Sequence, residues 1–399
     1  MAEDVNVVDP DSGDGYNYDS LYDWEAGEQA NIDVSNTIAV AKCRSTGGTA
    51  DTTAFIIDGW TISATDYIKI WTDTSESYRH NGTWQTGNKY RFEWTPSGGT
   101  QYGIDILEPY VRIFGIQFKE ISAYGSNVCV WARATEVYIK DCLLLGSLSD
   151  VSDGRAVGLA QNTINVYLIN NIFLDWINST YDCRGVRISS ALSSINLSIY
   201  NCTFSNCQLG ISLGSATGRK IINNIFTGNT ADVVGTCAAG SGYNATTNAA
   251  IGYTVTGGAT ADRVSQTFSF VGAADFHLQS SDEGALSYGL NLYNDASYPF
   301  QDDIDGQDRG GAAASWDIGA DEFVVTIEQE GFRFRNDDGS ETTATWKDSQ
   351  DATITLAAAT QTRLRLILNA TGDPDVINAQ LEARYKPSGG AFGPWDKVY

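Results

Sequence analysis

The sequence predicts an all-β protein in two parts, a parallel β-helix behind a short N-terminal capping helix and then a small antiparallel β-sandwich. Three observations carry the prediction. An eight-residue phrase recurs five times between Val111 and Phe226, with apolar residues at matching places. The composition, with 40 Gly, one Met, seven Pro and 11% aromatic residues, describes a chain of strands and turns. From Val324 onward apolar and polar residues alternate and break at turn formers, the pattern of short antiparallel strands.

The phrases are VRIFGIQF, VYIKDCLL, VYLINNIF, LSIYNCTF and RKIINNIF, starting at residues 111, 137, 166, 197 and 219. Spacing this irregular suits one supersecondary unit with loops of variable length, not a helical array. The third position is Ile113, Ile139, Leu168, Ile199 and Ile221, and the eighth is Phe118, Leu144, Phe173, Phe204 and Phe226. The fifth is Gly115, Asp141, Asn170, Asn201 and Asn223, residue types that tolerate left-handed backbone, so the phrase reads as strand, corner, strand. A further strand follows each phrase, at 127–132, 156–160, 185–189, 209–213 and 232–235, which gives each turn of chain three faces. Such a unit cannot bury its apolar side alone, so coils stack about 4.8 Å apart until their inward side chains form one column. Stacked Asn170, Asn201 and Asn223 are then expected to bond from coil to coil. The pattern resembles the right-handed parallel β-helix proteins, and the resemblance implies that hand here. An ordinary β-sandwich competes, but gives no reason for like residues to recur at matching positions.

Residues 1–36 read as lead-in and cap. The first 17 are extended, and Ser20 N-caps a helix to Glu28 whose Leu21 and Trp24, about one turn apart, cover the open end of the first coil. Residues 37–323 form the β-helix, with early coils at 38–44, 55–61, 67–72, 90–94 and 103–107. Between these lies DTSESYRHNGTWQTGNKYRFEW, from Asp73 to Trp94. Its Tyr78, Trp84, Tyr90 and Trp94, with Arg and Asn beside them, suit the apolar face of a sugar ring or a subunit interface. Small residues dominate from Cys237 to Ala261, which reads as a looser coil or surface excursion. Residues 324–399 are the sandwich, with turns at Asp338-Gly339, Gly372-Asp373-Pro374 and 387–390.

Charge narrows the partners. Lys and Arg number 25 against 49 Asp and Glu, a net charge of −24, which disfavours nucleic acid and anionic membranes. No apolar run approaches the length of a membrane span. The acidic start MAEDVNVVDPDSGDG lacks the regions of a secretory signal, so synthesis in a cytoplasm is expected. Seven cysteines, an odd count without a CxxC pair, argue against a disulfide framework or a zinc site, and Cys142 and Cys202, at one phrase position, are expected to pack inside the coils.

Several stretches resemble a known family. FSFVGAADFHLQ, DDIDGQDRG and WDIGADEF occur in the order of the closing segment of many bacterial and phage β-helix proteins, although SSDEGALSYG departs from the family's usual wording. RFRNDDGSETTATW and the opening DPDSGDGYNYDSLYDWE, with KCRSTGGTADTTAFIIDGW, resemble modules of phage-encoded β-helix virion proteins of the pectate-lyase-like superfamily. The resemblance implies a structural protein on the virion exterior, made in the host cytoplasm. It implies a homotrimer in contact with other virion proteins, placed as capsid decoration or cement or as a tailspike or fibre that touches host surface polysaccharide. A polysaccharide-degrading tailspike, glycoside hydrolase or lyase, and a secreted bacterial adhesin are the alternatives.

The chemistry needed for an enzyme is thinly represented. Glycoside hydrolysis uses two carboxylates about 5 to 9.5 Å apart. Asp175 and Asp182 are the catalytic candidates, with Arg184 and Arg187 close by, while Asp141 sits at a corner and Asp153 in a turn-like SDGR. No cofactor is expected. Asp303, Asp305 and Asp308, with Asp302, offer oxygen ligands of the kind calcium takes, but without the Glu that closes a calcium loop, and turn closure competes. His80 and His277 have no nucleophile motif around them.

Overall fold

The computed structural model describes residues 2–29, 37–122, 125–149, 153–160, 164–178, 182–189, 194–214, 217–256, 261–324, 326–340, 342–355, 361–371, 382–383 and 396–397. The chain divides into two units, Met1–Phe323 and Val324–Tyr399.

The first unit is a parallel β-helix with three long sheets. Sheet A has eight strands, from Ala2–Val8 and Thr37–Cys43 through Ile68–Trp71, Val111–Phe114, Val137–Lys140, Ile164–Ile169 and Ser194–Tyr200 to Thr217–Ile222. Sheet B has seven: Arg91–Trp94, Gln117–Ser122, Leu143–Leu148, Ile172–Leu174, Thr203–Ser205, Ile225–Thr227 and Ala245–Thr246. Sheet C has eight: Phe55–Ile57, Tyr102–Ile106, Val128–Ala132, Arg155–Leu159, Arg184–Ile188, Leu209–Gly214, Ala231–Cys237 and Tyr253–Val255.

The phrase positions predicted to stack do so. Ile113, Ile139, Leu168, Ile199 and Ile221 are successive register partners in sheet A, each fully buried. Phe92, Phe118, Leu144, Phe173, Phe204 and Phe226 form the same ladder in sheet B. The rings of Phe173 and Phe204 stack at 4.4 Å, and those of Phe204 and Phe226 at 5.2 Å. Each such side chain contributes about 1.5–3 kcal/mol of burial. The stack is also the only environment a coil of this length has for them. All seven cysteines are buried free thiols.

The corner residues have the left-handed backbone their types allow, with φ of 70° at Gly115, 54° at Asp141, 51° at Asn170, 49° at Asn201 and 59° at Asn223. The coil-to-coil ladder is interrupted. Asn170 donates to Asp141 at 3.0 Å and Asn223 to Asn201 at 3.1 Å, but Asn201 turns to the carbonyls of Asp317 and Gly319 instead of to Asn170. A second ladder runs inside it, one residue on: Asn171 holds the Cys142 N–H, Asn224 that of Cys202, and Asn244 that of Asn224.

The N-terminal stretch differs from expectation. Ala2–Val8 is not a bare lead-in but pairs in parallel with Thr37–Cys43 as the end strand of sheet A. The helix Leu21–Glu28 follows, capped by the Ser20 hydroxyl, which accepts the Asp23 N–H at 3.0 Å. Leu21 and Trp24 are fully buried, and Trp24 stacks on Trp60 at 5.5 Å, so the helix closes this end of the core.

Outside the coils, residues 268–323 run over sheets A and B. Leu292, Phe300 and Trp316 cover outward Ile169, Tyr200 and Ile222. Phe276, Ile304 and Ala320 cover Leu143 and Ile172, while Leu278, Ala285 and Ile318 cover Ile225. These outward positions are apolar because the closing segment buries them.

In the second unit, Thr326–Asn336 and Thr362–Thr371 form an antiparallel ribbon, and Glu382–Ala383 pairs with Asp396–Lys397. Trp346 lies under the Arg333 and Arg335 guanidinium groups at 4.3 and 4.5 Å. The turns expected at Gly372-Asp373-Pro374 and 387–390 lie outside the described residues.

Candidate functional site

The outer face of sheet C carries the most distinctive surface chemistry of the first unit. Register sets Asp105, Trp131, Gly158 and Arg187 side by side on four successive coils. At the strand starts, Arg155 and Arg184 are also partners in register. Three guanidinium groups converge on Asp153: Arg155 through Nε at 3.1 Å, Arg184 through Nη1 at 2.9 Å, and Arg187 through Nη1. Arg184 also holds Asp182 at 2.7 Å. Three arginines around one half-buried aspartate make a locally basic patch on a chain whose net charge is −24. Burial, and after it the neighbouring Arg155, pulls Arg187 below the usual arginine range. Arg187 remains the most open of the three, with 29% of its side chain exposed.

Beside the patch is a recess of about 230 Å³ lined by Trp131, Arg155, Gly158, Leu159, Arg187 and Ser189. Gly158 has no room for a side chain, because a Cβ there would stand 2.9 Å from Val128 and 3.0 Å from the Trp131 ring. The indole is half-buried, meets the Tyr102 ring at 4.7 Å, and has the Arg133 and Arg155 guanidinium carbons 5.5 and 5.7 Å from its centre. Beyond Tyr102 a larger recess of about 560 Å³ opens between the first strands of sheets B and C, with Phe55, Ile56, Trp94 and Ser97 in its walls. An aromatic face beside fixed arginine donors can stack a pyranose ring and hold its hydroxyl or carboxylate groups.

The residues singled out from sequence are distributed differently. Asp175 is a corner residue with φ of 60° whose carboxylate accepts Asn206 Nδ2 at 2.6 Å, a ladder bond. Asp182 lies at the other end of the crossing from sheet B to sheet C, with 72% of its side chain exposed. The Asp73–Trp94 segment packs onto its own chain. Tyr90 is 1% exposed, with its hydroxyl on Asp51 at 2.9 Å, and Trp94 is 4% exposed, so both belong to the core. Trp84 is half-buried against the cluster that joins Leu143 and Ile172 to the closing segment's Phe276, and Tyr78 is half-buried beside Arg44. His80, fully enclosed, has its Nε2 on the Asp141 carbonyl and accepts the Gly82 N–H at Nδ1; burial and the adjacent Arg79 lower it to about 3.

The acidic loop of the closing segment does not act as one cluster. Asp303 is fully buried and spends its oxygens on the N–H groups of Asp305, Gln307 and Glu322. Asp308 closes its own turn on Gly310, and Asp302 pairs with Lys140. Asp305 alone turns away, to His277 Nε2 at 2.8 Å, and Asp321 lies close by. Burial raises Asp303 to about 6, Asp321 to about 7 and Glu322 to about 8, the last opposed by its ion pair with Arg309 at 3.0 Å.

Sequence reasoning missed Trp131, Arg155 and His277. Trp131 and Arg155 are brought together only by register across loops of unequal length, and the available signal was the recurrence of Arg at the strand starts 155 and 184. No protein-family model matches the chain, and no curated protein matches it.

Proposed function

We propose that the chain is a structural protein of the bacteriophage virion exterior, capsid decoration or a tailspike-like element, that meets host saccharide through the outer face of sheet C. The recess beside Trp131 carries the saccharide part of this reading. It offers a half-buried indole wall, a glycine floor and arginines already ordered by Asp153, so little side-chain entropy is lost on binding. The stack of coils, closed by a helix at one end and braced along its side, supports a rigid displaying body. The wording of the closing segment and of RFRNDDGSETTATW supports the virion setting, a homotrimer and contact with other virion proteins. Among the described residues no helix is long and apolar enough to cross a membrane.

Two measurements test the reading. An image of the phage particle is expected to show the protein at symmetry positions of the capsid or at the tail; its absence from purified particles overturns the virion placement. On an array of bacterial surface glycans, Trp131→Ala and Arg187→Ala are each expected to weaken retention about tenfold or more, as loss of a stacked aromatic or a charged donor does. Retention unchanged in both overturns the saccharide contact.

A further inference from the structure

We propose that His277, Asp305 and Asp321 bind one divalent metal ion of the zinc class, which pins the closing segment together where it covers sheet B. One ligand atom from each lies within 4.8 Å of the others. They come from three separate pieces: His277 from the strand Asp275–Leu278, Asp305 from the DIDG loop, and Asp321 from the DIGADE end.

Each ligand is already oriented. His277 presents Nδ1 to the Asp275 carboxylate, which leaves Nε2 facing Asp305 and Asp321, the carboxylate–histidine arrangement that metal ligands use. Asp321 is 4% exposed and is tied to the same strand by accepting the Leu278 N–H at 2.7 Å through one oxygen. One feature points to an ion. Asp305 Oδ1 is buried without a hydrogen-bond partner, although its sister oxygen is bonded. Gly82, with φ of 79°, walls the site: a Cβ there would stand 2.7 Å from His277 Nε2 and 2.8 Å from Asp305 Oδ1. His80 is not a ligand, since both its ring nitrogens are engaged.

The donor set selects the metal. An imidazole with two carboxylates suits zinc and its neighbours better than calcium, which takes oxygen ligands. Bonds of about 2.0–2.2 Å around a tetrahedral ion set donors about 3.4 Å apart. His277 Nε2 and the Asp305 carboxylate, whose Oδ2 now lies at 2.8 Å, would part by a few tenths of an ångström so that an ion meets Nε2 and the unpartnered Oδ1, and Asp321 would close in by a side-chain rotation. Three protein ligands leave the fourth position to water. The ion then cross-links the strand, the loop and the end of the segment.

The test uses the full chain, stripped with a chelator and titrated with zinc chloride under reducing conditions. One ion per chain is expected, with Kd near or below about 1 μM and an unfolding midpoint that rises by several degrees at roughly hundredfold excess over Kd. His277→Asn, folded by circular dichroism, is expected to lose affinity about 100-fold, whereas Asp308→Asn in the same loop keeps it. Cobalt in place of zinc should give d–d absorption without thiolate charge transfer, separating this site from the seven cysteines. An imidazolium held by Asp275 and Asp305 alone predicts no stoichiometric uptake by the wild-type chain. That result, uptake that survives His277→Asn, or a preference for calcium overturns the proposal.

Discussion

Glu120 holds an unfavourable position for a carboxyl. It points inward from sheet B, fully buried, among Cys129, Cys183, Arg155, Ser122 and Asn127. Burial raises it from 4.5 to about 8, with Asn127, Ser122 and Arg155 opposing. An acid raised in the folded state binds more protons there than in the unfolded chain, so stability falls as pH rises from about 4.5 to about 8. Glu120→Gln is expected to flatten this slope, matching the parent near pH 4 and exceeding it by a few kcal/mol, roughly, above pH 8. Urea midpoints across that range measure it, and parallel slopes would count against an inward carboxyl. The corner residues give a second test at this scale. Asn201 carries φ of 49° and donates to two carbonyls of the closing segment. Asn201→Ala should cost about 1–3 kcal/mol, and Asn201→Gly less, because glycine removes the backbone strain but not the lost bonds. Equal costs would mean that strain contributes nothing.

Among the elements, the closing segment is held on by apolar contact, by the Lys140–Asp302 ion pair and by hydrogen bonds from the corner asparagines, and it is braced internally by Arg309. Arg309 has no exposed side-chain surface and reaches Glu322, Asn170 and the carbonyls of Gly319 and Ala320. Arg309→Met leaves Glu322 buried without its partner, a loss of about 3–5 kcal/mol. Limited proteolysis should then cut within residues 268–323 before the coils; cleavage in the coils first would show that the segment is not the weaker layer. At the other end of the stack, Trp24→Ala removes a fully buried ring that lies on Trp60, with an expected cost of about 3–5 kcal/mol by chemical denaturation. A change under about 0.5 kcal/mol would mean that the helix does not seal the core.

Across the whole molecule, negative charge dominates. A net charge of −24 repels itself in the compact state, so raising salt from low to physiological strength should raise the unfolding midpoint through screening. A midpoint that falls would point to the salt bridges along sheets A and C as the stronger contribution. The same charge sets the basic patch around Asp153 apart as the place where an anionic group can approach.

The coil is legible in the amino acids alone. Matching Ile and Phe positions, with Gly, Asp or Asn at each corner, specify strand, bend and strand in every turn of chain, and only stacking can bury them. Ser20, Leu21 and Trp24 likewise made the end cap legible. The closing segment's place was half visible, since outward Leu143, Ile169, Ile172, Tyr200, Ile222 and Ile225 are apolar where solvent would favour polar residues. What lies across a face came from the folded chain and from nothing earlier. Trp131, Arg155 and Arg187 meet because register aligns strands whose separation in sequence varies with the loops, and His277 meets Asp305 and Asp321 because a segment distant in sequence folds back on the stack. Periodicity fixes which side of a strand is buried, but it carries no record of which neighbour a side chain finds on the other side.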